Sequence, residues 1–228
     1  MFWLALPLTI VVYFGFRKLY SKWAWPCFNP VLLSMVSLIV LHITFDLPYQ
    51  EYAQGAYPLT WLLEPAVVAL AVPLYLQAAQ IKKQLGPILL ACTVGVSASL
   101  LIVIPLAWAF GADLAVIASL APQSVTTPVA MSITQSLGGI PALTAAVVIV
   151  VGILGAAFGL PWLRLVGVND HHAQGLAMGC AAHALGTARA IEHSERHGAY
   201  SSLALILCAV LMALLAPIIF SLYMLFLT

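Results

Sequence analysis

The chain has 228 residues, of which 64% are hydrophobic and only 7% are charged. An ordinary soluble domain carries about 25% charged residues, so eight Lys and Arg with seven Asp and Glu cannot clothe a water-facing surface of this size. The formal charge of +1 offers nothing to nucleic acid, and lipid remains as the solvent.

A membrane helix takes about 20 mostly apolar residues. Taken in chain order, about eight such segments are predicted, at 2–18, 29–46, 59–78, 86–110, 114–135, 139–163, 174–191 and 200–227. The expected fold class is all-α: a polytopic transmembrane helical bundle forming one integral membrane domain over 1–228. Runs such as Ala145–Ile153 are apolar on consecutive positions, which excludes the alternating strands of a membrane barrel. The first apolar stretch, Phe2–Phe16, comes before its basic residues Arg17, Lys18 and Lys22. A secretory signal has the opposite order, so this stretch reads as a retained helix.

Basic residues also predict orientation. Arg17, Lys18, Lys22, Lys82, Lys83 and Arg196 fall in the odd-numbered loops, and Arg164 in an even-numbered one. If every segment crosses, the odd loops are cytoplasmic and both termini face outward. The four cysteines are far apart in sequence, without a C-x-x-C pair, and read as packing residues.

Three segments are not plain apolar rods. Segment three contains Glu64-Pro65 and Pro73. Segment five reads Pro122-Gln-Ser124-Val-Thr126-Thr127-Pro128. Segment seven reads His183-Ala-Leu-Gly186-Thr187-Ala-Arg189. Proline removes a backbone donor, and in lipid each orphaned group costs several kcal/mol unless protein or a polar cavity satisfies it. Interrupted helices are therefore expected around segments five and seven. Ser124–Ala130 can be laid without gaps over Ala184–Ala190, pairing Thr127 with Thr187, the kind of weak internal match that inverted repeats leave.

Arg189 stands in an otherwise uncharged segment, where an ionisable group is costly and marks function. Its planar fork suits a carboxylate; alternatively it snorkels to headgroups near Glu192 and Arg196. Ser124, Thr126 and Thr127 offer hydroxyls beside exposed backbone, or bond back to helix carbonyls. His183 shares a helix face with Gly186 and Thr187 and could bind substrate or carry a proton. Glu64 is a proton-coupling candidate. His193 and His197 have the i, i+4 spacing of a zinc pair, but no third ligand is evident. No metal, no cofactor and no enzymatic activity are expected, since the chain shows no nucleophile–base pair and no phosphate loop.

Six motifs, Asn29-Pro30, Leu63–Ala71, Ser124–Ala130, Gly152–Gly159, Ala182–Arg189 and Tyr200–Ala204, resemble in order the CidB/LrgB family of bacterial inner-membrane proteins, over nearly the whole chain. The resemblance implies a holin- or antiholin-like role, modulating murein hydrolase activity and cell lysis beside a smaller CidA/LrgA-like membrane protein. A plastid relative is a glycolate/glycerate translocator, and bacterial members are linked to pyruvate. Carried over residue by residue, the resemblance marks Ser124, Thr126, Thr127, Pro128, His183, Gly186, Thr187 and Arg189. Two readings follow: a transporter of small carboxylates binding at the interrupted helices, or a holin-like pore or regulator. Either is expected in the bacterial inner membrane as a homo-oligomer.

Overall fold

The computed structural model describes residues 2–22, 30–62, 65, 75 and 78–227, and every element among them is an α-helix. Glu64, Pro73 and most of the expected third segment lie outside the described residues. Contacts group the chain into two compact units, Met1–Ala71 and Val72–Thr228.

In the first unit α1 (Phe2–Lys22) packs on α2 (Pro30–Thr44), and the short helices α3 (Tyr49–Gly55) and α4 (Tyr57–Trp61) follow. Thr9 is the polar joint between elements. Its hydroxyl donates back to the Ala5 carbonyl at 2.7 Å and accepts from Tyr52 on α3 at 2.8 Å. Tyr52 stacks edge-on against His42 of α2, with centroids 4.7 Å apart. An apolar cavity of about 980 Å³ opens beside Thr9, Tyr13, Ser34, His42 and Tyr52.

The second unit begins with α5 (Ala78–Lys83) and holds three long helices, α6 (Leu85–Ala109), α9 (Pro141–Leu165) and α11 (Glu195–Leu227). These three are long and apolar enough to cross a membrane, and Leu33–Thr44 in the first unit is a shorter apolar helix. Each is apolar on both its faces. On α6 the buried stripe Ile88, Cys92, Val96, Leu100 and Ile104 repeats every fourth residue, while Leu90, Val94, Leu101 and Ile102 face outward. On α11 an exposed ridge, Ile206, Val210, Leu214, Ile218 and Leu222, backs a buried one, Ala204, Cys208, Met212, Ala216 and Phe220. A helix that is apolar all round belongs in a protein core or in lipid. Helices α6 and α11 run in the same direction: the Tyr200 hydroxyl donates to Gln84 Oε1 at 3.0 Å, and the Tyr223 hydroxyl to the Leu101 carbonyl at 3.4 Å.

The expected fifth and seventh segments do not run as single rods. Segment five is two helices, α7 (Leu114–Leu120) and α8 (Thr127–Ser136), joined by Ala121–Thr126. A straight helix would separate Ser119 from Thr134 by about 22 Å. Instead both meet the first turn of α9. The Thr144 hydroxyl donates to the Ser119 carbonyl at 2.9 Å and accepts from the Thr134 hydroxyl at 2.8 Å. The Ser119 hydroxyl in turn accepts from the Ile140 N–H at 2.7 Å. Segment seven is α10 (His171–His193), broken by non-helical geometry at His183. A straight helix would hold its ends about 33 Å apart. Here the rings of His171 and His193 lie 4.9 Å and 4.8 Å from that of His197. The arm after the break packs on the arm before it, leaving no room for a side chain between Gly186 and the Met178 carbonyl. Eight crossing segments are therefore not what the described residues form. Two of the eight fold back on themselves.

The folding back regroups the charges. Arg164, expected on the opposite side from Arg196, donates to His193 Nε2 at 2.7 Å. It therefore joins the end of the unit where α10 begins and ends and α11 starts.

Thr144 is the clasp of the first fold-back. Thr144→Val keeps the volume and strands the Ser119 carbonyl and the Thr134 hydroxyl. We expect a loss of about 1 kcal/mol, seen as a lower melting temperature in detergent. Thr93→Val, which removes only an exposed bond to the Leu89 carbonyl of its own helix, should leave the melt unchanged.

Candidate functional site

The two fold-backs are built by the same local pattern. Helix α6 and helix α9 each have 25 residues and each carries a proline one turn before its end, Pro105 and Pro161. Each then terminates on a glycine with positive φ, Gly111 (77°) and Gly167 (85°), a conformation that favours glycine. Each next helix is capped by an aspartate. Asp113 accepts from the Val116 N–H at 2.8 Å, and Asp170 from the His172 and Ala173 N–H groups at 3.0 and 2.9 Å. The Ala173 amide above all holds the Asp170 carboxyl below its ordinary pKa. The aspartates pair Thr127, the first residue of α8, with Ala184, and the prolines and glycines pair it with His183, rather than with Thr187. The gapless overlay of the two motifs is thus out of step with the structure by about one helical turn.

The breaks themselves differ. In the first, Pro122 cannot donate and Pro128 suits the opening turn of α8. Weak turn bonds, Gln123 N–H to the Leu120 carbonyl at 3.2 Å and Val125 N–H to the Pro122 carbonyl at 3.3 Å, carry the chain across. In the second, a single residue reverses the chain: His183 adopts φ 41° and ψ −132°, a combination nearly confined to glycine. Its ring is 4% exposed, and Nε2–H donates to the Val148 carbonyl of α9 at 2.9 Å. Gly152 makes this possible. A Cβ there would stand 2.7 Å from the same Nε2.

Small residues let the arms of α10 sit between α9 and α11. Ala182 and Met178 occupy the places that side chains at Gly155 and Gly159 would need, and a Cβ at Gly175 would stand 2.7 Å from the His197 carbonyl oxygen. Such contacts replace the hydrophobic driving force that lipid does not supply. Polar bonds lock the base of the fold-back. The Gln174 side chain donates to the Val168 carbonyl at 2.7 Å and accepts from His197 Nε2 at 2.9 Å, and the Ser194 hydroxyl donates to His197 Nδ1 at 2.7 Å.

The predicted site residues are thus dispersed. Gln123 and Ser124, at the first break, line a mostly apolar cavity of about 670 Å³ with Cys92, Gly95, Ala177 and Cys180. Ser124 Oγ is buried and has no hydrogen-bond partner among the described residues. Thr126 and Thr127 are half-buried and Pro128 is exposed. Thr187 is buried and shares a 2.9 Å bond with the Ser201 hydroxyl of α11, while Gly186 packs inside the α10 fold-back. Arg189 is exposed and pairs with Glu192 at 3.0 Å, away from the residues that line the cavity. Structural residues that the sequence did not single out are Thr144, Thr134, Ser119, Ser201 and Gln174. The glycine spacing of Gly152–Gly159 was the available signal for a close helix contact.

Three helices that are apolar all round, with two folded-back segments between them, make up a helical membrane protein. The chain belongs to the LrgB-like family, whose model matches residues 9–222. It is 37% identical to the "Uncharacterized protein YxaC" of Bacillus subtilis over 212 residues, covering 93% of this chain and 92% of that one. It is 34% identical to the "Holin-like protein CidB" of Staphylococcus epidermidis over 220 residues, 96% of each chain. A Haemophilus influenzae protein is 36% identical over 217 residues, 94% of each chain. No solved structure matches the chain.

Two outcomes test the second fold-back. His183→Ala loses the bond to Val148 and keeps the unfavourable φ, whereas His183→Gly loses the bond alone. The glycine variant should melt higher than the alanine variant, by about 1 kcal/mol. At the base, burial first, and then the Arg164, Arg189 and His171 groups, hold His193 below its ordinary pKa. Its contribution is full above the unfolded value of about 6.5 and is lost as pH falls through the folded one. Melting between about pH 7.5 and 5.5 should show this loss, and Arg164→Gln should reduce it.

Proposed function

We propose that the second unit governs passage of solute across the membrane. The coarse half of this reading has support from relatives named holin-like, and those names favour a holin-like role over carboxylate transport. The finer half rests on one observation: two folded-back helices enter from opposite ends of the unit and meet at a cavity. Helix α9 runs against α6 and α11, so the α7–α8 fold-back starts from one end and α10 from the other. Broken helices in corresponding positions of two inverted halves are what build mid-membrane sites in transporters. On this reading both fold-backs are re-entrant, the cavity beside Ser124 is the passage, and small carboxylates are the cargo.

The charge distribution supports an orientation. Lys82, Lys83, Arg164, Arg189 and Arg196 are all the basic residues of the second unit, and all fall at the end where α6 starts and α9 finishes. Asp113 marks the other end. The positive-inside rule makes the basic end cytoplasmic and puts the C-terminal end of α11 outside. A bacterial inner membrane, a homo-oligomer and a small CidA/LrgA-like partner complete the proposal.

Purified protein in liposomes should take up glycolate or pyruvate saturably, and Ala177→Phe, which fills the cavity, should abolish uptake. Release of large dyes without saturation, unaffected by that variant, would replace the transporter reading with a holin-like pore. Arg189→Lys transporting at the wild-type rate would remove Arg189 from the binding set.

A further inference from the structure

Three of the four cysteines converge. Cys92 comes from α6, Cys180 from the first arm of α10 and Cys208 from α11, and their sulfurs all lie within 4.8 Å of one another. Cys180 and Cys208 are the closest pair, at 2.7 Å. None is in a disulfide, Cys92 and Cys208 are buried, and Cys180 is half-buried. Cysteine often packs as a small apolar residue, and far apart in sequence these three read that way. Meeting at one point from three helices gives them a chemistry that none has alone.

We propose that Cys92, Cys180 and Cys208 form a binding site for a soft monovalent metal ion, Cu(I). Thiolates select soft ions, and low coordination by sulfur alone suits Cu(I). Zinc would want a fourth ligand, and no imidazole or carboxylate joins the cluster among the described residues. Metal–sulfur distances near 2.3 Å put three sulfurs around one ion about 4 Å apart, so the Cys180 and Cys208 sulfurs must move apart by about 1.3 Å, within a cluster whose sulfurs already lie within 4.8 Å of one another. Space for the sulfurs is built in. A Cβ at Gly95 would lie 3.1 Å from Cys180 Sγ. A route exists too, since Cys92 and Cys180 line the cavity that Ser124 shares. The bound ion would join α6, α10 and α11, tying the second fold-back to both parallel helices. This site does not depend on which solute the protein passes.

The test uses full-length protein, purified with reductant under anaerobic conditions and titrated with Cu(I) held by a chromogenic chelator. One Cu(I) per chain is expected, with ultraviolet charge-transfer absorption from sulfur to copper. Cys92→Ser, Cys180→Ser and Cys208→Ser should each weaken binding about 100-fold or more, while Cys27→Ser should bind as wild type. X-ray absorption at the copper edge of the unmutated protein reads the ligands without any variant: a shell of two or three sulfurs supports the site. Oxygen or nitrogen donors in that shell, stoichiometric copper retained by the triple serine variant, or no copper at all would overturn it. So would a Cys180–Cys208 disulfide that persists in the reduced preparation.

Discussion

Lipid accepts no hydrogen bonds, and the second unit is arranged around that constraint. A helix that reverses inside an apolar surround exposes carbonyls and amides at the bend, and each needs a partner from the protein. The first reversal finds its partner in one hydroxyl. Thr144 holds a carbonyl of α7 and a hydroxyl of α8 together, so a single side chain on the first turn of α9 closes the loop that Pro122 and Pro128 open. The second reversal concentrates its difficulty in one residue. His183 takes a backbone conformation foreign to a side chain and offsets it with a buried bond across to α9.

Around these bends the helices hold together by closeness rather than by hydrophobic exclusion. Gly152, Gly155 and Gly159 on one side, and Gly175 and Gly179 on the other, admit the arms of α10 to backbone contact with their neighbours. The polar side chains are spent on the same task. Thr187 binds Ser201, and Gln174 and Ser194 fix His197. Ser124 and Ser202 differ, since each has a buried hydroxyl with no hydrogen-bond partner among the described residues.

Much of this was legible in the residues. The long apolar helices follow from composition, and the two troubled segments follow from proline, hydroxyl and histidine inside apolar runs. What could not be read was the consequence of the trouble. A proline says that a helix is disturbed, but kinking and reversing leave the same local mark. The reversals are decided by Thr144 and Val148, residues distant in sequence from the bends they serve. The placement of Arg189 was hidden for a related reason. Charge in an apolar stretch implies function only when the stretch is buried along its length, and the α10 reversal brings Arg189 to an exposed end beside Glu192. The cysteines show the same limit, since wide spacing in sequence says nothing about residues brought together by three separate helices.

The repeated pattern of Pro105 and Pro161, Gly111 and Gly167, and Asp113 and Asp170 has a consequence for biogenesis. The same local pattern recurs on two helices that run in opposite senses, so these landmarks by themselves do not distinguish one end of the unit from the other. That choice falls to the few cations. In the second unit there are five Lys and Arg side chains, and three of them, Lys82 and Lys83 before α6 and Arg164 at the end of α9, lie at opposite ends of the two corresponding helices and so at one end of the unit. By the positive-inside rule, a handful of charges gathered at one end of the unit would decide its topology.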